Sequence, residues 1–91
     1  MEETRVALLG IVVENPDAVE PLNQLLHQYK DYIIGRMGLP YRARGVNIIS
    51  IVLDAPGDAI NSLSGKVGML PGVTAKAVYS KLREPPHASA D

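Results

Sequence analysis

Few side chains in this sequence are suited to chemistry, and their spacing excludes most of what they could do. His27 and His87 are the only histidines, and there is no cysteine. Without thiols there is no disulfide, iron–sulfur ligation, thiolate zinc site or cysteine nucleophile. A single histidine ahead of the tail needs carboxylates or other subunits to make a transition-metal site, so none is expected. Gly65-Lys66 matches two positions of a phosphate-binding loop. The full pattern also demands a glycine at position 60 and Ser or Thr at 67, where the chain has Ile60 and Val67. Asn47 could position a water for acylphosphatase-like hydrolysis, but only beside a cationic cradle after the first strand. That place is held by Glu14-Asn15-Pro16-Asp17, which repels an anion, so the enzyme reading is the least supported. Tyr41, Arg42 and Arg44 form a basic turn, with Arg36 upstream. It could meet a nucleic-acid backbone or an anionic ligand, but three exposed arginines are more often a solvated turn.

The elements that must carry these residues follow from periodicity and punctuation. Residues 4–13 are apolar on both faces and rich in β-branched residues at their end, as in a central strand. Asn15-Pro16-Asp17 starts a helix with a capping side chain, a proline suited to the first turn and an acid favoured by the dipole. Val19, Leu22, Leu25, Leu26 and Tyr29 recur at helical spacing. Pro21 implies either a kink or a helix that begins near Val19. Asp31–Met37 reads as a second strand ended by Gly38-Leu39-Pro40, and Tyr41–Gly45 as a turn. Val46–Leu53 is the clearest strand. Asp54-Ala55-Pro56 leads into a second helix carrying Ile60, Leu63 and Val67, closed by Leu70-Pro71-Gly72. Residues 73–80 alternate as in a half-solvated edge strand.

The order β-α-β-β-α-β defines an α+β, ferredoxin-like sandwich. Its two helices lie on one face of a four-stranded antiparallel sheet, with the first and third strands central. On the third strand Ile49, Ile51 and Leu53 share one side. Val46, Ile48 and Val52 share the other, which the helices do not reach. Such a patch is at the limit of what a monomer tolerates, so a second subunit is expected to cover it, as dimer or tetramer; the tail or a loop is the alternative. RNA recognition on such a sheet needs aromatic residues on the central strands, and these have none. Glycine within a helix costs roughly 0.5–1 kcal/mol relative to alanine, so Gly65 and Gly68 are expected where helices pack closely or a ligand approaches.

Ninety-one residues allow one domain, expected over 1–81, with a disordered tail over 82–91. Ten acidic against nine basic residues give a net charge of −1, with no global attraction for nucleic acid or anionic lipid. No stretch approaches the roughly 20 apolar residues of a membrane-spanning helix. The acidic N-terminus is unlike a secretory signal, so a cytoplasmic location is expected.

Three stretches carry a family resemblance: Leu25-Leu26-His27-Gln28-Tyr29, the run from Ile33 to Pro40, and the run from Leu63 to Val73 with its Ser-Gly-Lys-x-Gly segment. Together they resemble the iron-only hydrogenase system regulator family over roughly residues 5–80. The resemblance implies an ACT-like fold, oligomers and a regulatory, non-enzymatic role. The chain is similar, more distantly, to the sensor domain of nickel-responsive repressors. There a helix histidine, a His-x-His on the second strand and a cysteine before the third bind nickel. Here His27 remains, but Gly38, Pro40 and Val46 stand at or near the other positions, so nickel sensing is expected to be lost. The DNA-binding arm that precedes that sensor has no counterpart in this sequence, so direct nucleic-acid binding is not expected. ACT domains that bind amino acids use a glycine-containing turn after the first strand, which is missing here; another small ligand at a subunit interface stays open. The candidate ligand residues are Arg36, Gly38 and Pro40, then His27, Ser64, Gly65 and Lys66. The candidate association face is Val46, Ile48 and Val52. No cofactor is expected. A protein-interaction or assembly domain without a ligand is the alternative.

Overall fold

The computed structural model describes residues 3–81; the tail at 82–91 lies outside them. Strand β1 (Arg5–Val13) leads through a short 3-10 turn (Pro16–Ala18) into helix α1 (Val19–Gln28). A second 3-10 turn (Lys30–Tyr32) enters β2 (Ile33–Tyr41), and a third (Arg42–Arg44) joins it to β3 (Val46–Ala55). Helix α2 (Gly57–Gly68) and β4 (Val73–Tyr79) complete the order. The strands form one antiparallel sheet, β2-β3-β1-β4, with β1 and β3 central. This is the expected ferredoxin-like α+β arrangement.

Alternation along the central strands builds the core. Ala7, Leu9, Ile11 and Val13 of β1 and Ile49, Ile51, Leu53 and Ala55 of β3 all point to the helix side. Leu22 and Leu26 of α1 and Ile60, Leu63 and Val67 of α2, each spaced at one helical face, close over them. Burying each large side chain contributes roughly 1.5–3 kcal/mol.

The entry to α1 resolves the problem of Pro21. Asn15 Oδ1 accepts the Asp17 N–H at 3.0 Å and caps the 3-10 turn, and α1 begins only at Val19. Pro21 therefore falls in the first turn, where its missing N–H has no intrahelical partner to lose.

Strand β2 departs from expectation. It starts at Ile33, because Asp31 belongs to the preceding 3-10 turn. It does not stop at Gly38-Leu39-Pro40 but pairs with β3 as far as Tyr41. The physical reason is its place at the sheet edge: with one neighbour only, a strand tolerates a proline that lacks a donor. Likewise β3 runs on to Ala55, and Pro56 is the residue capping α2.

The expectation of close packing at Gly65 and Gly68 is corrected: a Cβ added at either would meet nothing within 4 Å. The glycine that packing does require is Gly72. Its φ is +74°, and a Cβ there would lie 2.5 Å from the Asn15 Cβ. Its carbonyl accepts the Glu14 N–H at 2.7 Å, which ties the end of β1 to the start of β4.

Candidate ligand cleft

A β-bulge decides which side chains of β2 face the helices. Ile33 pairs with Leu53, but the register slips at Ile34, so that Gly35 pairs with Val52 and Arg36 with Ile51. The extra residue restores to the helix side a set that strict alternation would have turned away. Arg36, Gly38 and Pro40 lie opposite Ile51, Ile49 and Asn47, and all three share the helix face.

Arg36 then meets α1. Its Nη2 donates to Asn23 Oδ1 at 2.8 Å. Asn23 lies four residues before His27, on the same side of the helix. Together with Leu26, Lys30 and Ile33 these residues line a cleft of about 290 Å³. Arg36 also borders a second hollow of about 270 Å³, reached by Gly38, Pro40 and Asn47. A Cβ at Gly38 would meet open space. The structure thus brings His27 to Arg36, and Arg36 to Gly38 and Pro40.

Ser64, Gly65 and Lys66 are elsewhere. Lys66 Nζ donates to the Tyr29 hydroxyl at 3.1 Å and sits 5.5 Å from that ring's centroid. The same hydroxyl pairs with Ser62 Oγ at 3.0 Å. The Ser62 hydrogen bond, then that of Lys66, lowers the Tyr29 pKa against a smaller opposing effect of burial, and the Lys66 charge adds to the lowering. This cluster clasps α1 to α2 and contributes no residue to either cleft. Ser64 is half-buried and Gly65 exposed.

Sequence reasoning missed Asn23 and Lys30 in the cleft, and Tyr29 and Ser62 in the clasp. The four-residue spacing of Asn23 and His27 is a signal that could have found the first. Nothing local pairs Tyr29 with Ser62, which lie 33 residues apart.

On the opposite side the sheet is bare. Val46 and Val52 are half-buried and Ile48 is 38% exposed. Register extends them into rows. Val52, Leu8 and Val78 run across β3, β1 and β4, while Leu39, Ile48 and Val12 run across β2, β3 and β1. Met37 (68% exposed) and Val78 (64%) mark the two edges. Arg42 and Arg44 are exposed in the β2–β3 turn.

Among the described residues, no three of His, Asp or Glu converge as metal ligands, and no helix is long and apolar enough to cross a membrane. Gly38, Pro40 and Val46 offer no side-chain donor atom at all.

These features define a small ferredoxin-like protein with one helix-covered and one open sheet face. The family model described as "Iron-only hydrogenase system regulator, putative" (TM1266-like) matches residues 5–77. The chain belongs to this family. It is similar to the solved structure of an uncharacterized protein, TM1266, from Thermotoga maritima. The two are 40% identical over 87% of this chain and 100% of that one, with a TM-score of 0.84. No curated protein matches.

Proposed function

We propose that this chain is a non-enzymatic regulatory domain of an iron-only hydrogenase system, one that works as an oligomer and takes a small ligand. The family match supports the regulatory reading. The observation that carries the oligomer is the open sheet face, whose apolar rows span all four strands. Burial of apolar surface is worth about 25 cal/mol per Å², so a second copy laid across Leu8, Ile48, Val52 and Val78 gains most from the face the helices leave open. The α1–β2 cleft is the ligand site of this reading, with Arg36 at its centre. Residues 1–81 act as one domain, in the reducing cytoplasm that a cysteine-free chain suits.

Light scattering at micromolar concentration tests the assembly. A dimer or tetramer is the expected result, and Ile48→Glu is expected to shift it to monomer with the circular dichroism spectrum retained. A wild-type protein that is monomeric throughout the micromolar range would overturn the proposal.

A further inference from the structure

The α1–β2 cleft gathers basic side chains from three consecutive elements. His27 comes from the last turn of α1, Lys30 from the 3-10 turn after it, and Arg36 from β2. No carboxylate lines the cleft, whose remaining walls are Asn23, Leu26 and Ile33. Glu20 borders the neighbouring groove along α1, and Asp31 follows Lys30 in the chain. Neither is ion-paired to the three; among the described residues, the Asn23 bond to Arg36 is the only hydrogen bond made by any of the three side chains.

An overall basic excess does not explain this gathering, because acidic residues outnumber basic ones in the chain. The negative end of the α1 dipole accounts for His27 and Lys30. It does not account for Arg36, which arrives from the sheet and is turned toward them by the bulge at Ile34. The partner that holds Arg36 is also informative. Asn23 is a neutral acceptor, so it orients the guanidinium while leaving its charge uncompensated and most of its five donors unspent. An aspartate in that place would have neutralised it. Leu26 and Ile33 supply apolar walls, which strengthen any charge-assisted bond formed beside them. A volume of about 290 Å³ suits an anion of a few heavy atoms.

We infer that this cleft binds a small anion bearing carboxylate or phosphate groups, gripped by the Arg36 fork with Lys30 as a flanking charge and His27 as a ring N–H donor. The inference rests on the reading of the cleft as a ligand site and names the chemistry of what enters it.

The test is thermal unfolding of the full chain in inorganic phosphate and, separately, in citrate, at ionic strength held constant with sodium chloride. A saturable Tm rise of about 5–10 °C is expected in at least one arm when the anion is well above its Kd. A rise in phosphate alone assigns a phosphoryl ligand and a rise in citrate alone a carboxylate. Arg36→Gln is expected to weaken binding tenfold or more. Asn23→Asp, nearly isosteric, is expected to abolish the shift by supplying an internal counter-ion, with the ligand-free Tm unchanged or raised. Should Arg36→Gln fail to fold, Asn23→Asp alone carries the test. No saturable shift in either arm, or a shift undiminished in Asn23→Asp, overturns the inference. Light scattering on the same samples separates the two readings. A monomer with an Asn23-sensitive shift sinks the assembly and keeps the anion site, and an oligomer without a shift does the reverse.

Discussion

The two faces of the sheet are drawn from the same strands by the same two-residue alternation, yet they end in opposite surroundings. On one, Leu9, Ile51 and Leu53 are sealed under α1 and α2. On the other, Leu8 and Val52, their immediate neighbours along the chain, are left partly open, though they are equally apolar. Two helices can roof only one side. The difference therefore shows which apolar residues the fold of one chain seals and which it leaves open.

Truncation on each face is the sharpest way to break this contrast. Ile51→Ala opens a cavity under both helices and is expected to cost about 2–5 kcal/mol in denaturant unfolding. Leu8→Ala, on the open face, is expected to cost under about 1 kcal/mol in dilute protein, with a larger cost as concentration rises if a second copy covers it. Equal and concentration-independent costs on both faces would dissolve the distinction.

A backbone test comes next in size. Gly72→Ala forces a side chain into a left-handed position against Asn15, with an expected loss of about 2–3 kcal/mol by the same unfolding measurement. Gly65→Ala and Gly68→Ala meet open space and are expected to be neutral or stabilising by up to about 1 kcal/mol.

The smallest effect concerns the α1–α2 clasp. The pKa of Tyr29 lies below its ordinary 10.0, chiefly through hydrogen bonds from its surroundings at Ser62 and Lys66. The folded state thus favours the phenolate. The linked stability is fully present above the unfolded value and fades as pH falls through the lowered one, so it belongs to the alkaline side and not to neutral pH. Ultraviolet titration of the folded protein is expected to show a tyrosine step below the ordinary value of 10.0, and Tyr29→Phe to remove that step. If Tyr29→Phe instead removes amplitude only at or above the ordinary value of 10.0, the clasp is not formed.

Much of the fold is legible because its signals are local. β-branched runs mark β1 and β3, Asn15-Pro16 marks the entry to α1, and the pleat alone assigns Val46, Ile48 and Val52 to the open face. The end of β2 is not legible in this way. A proline inside a strand is tolerated at Pro40 because β2 has one neighbour, and being at an edge is a property of the sheet rather than of the residues. The bulge at Ile34 is equally tertiary, since it is defined only against β3. The candidate site divides along the same line. Arg36 meets His27 in one cleft and Gly38 and Pro40 in another, but Lys66 is drawn off by Tyr29, a pairing between two helices that no spacing within either one announces.

Strand β2 carries one further consequence. Arg36 and Gly38 face the helix side, while Met37 and Leu39, interleaved with them on the same backbone, face outward. Were a bound anion to draw Arg36 toward α1 and carry β2 with it, the apolar row behind would shift too, and occupancy and assembly would be thermodynamically linked. If the ligand binds one assembly state more tightly, that assembly state must bind the ligand more tightly in equal measure.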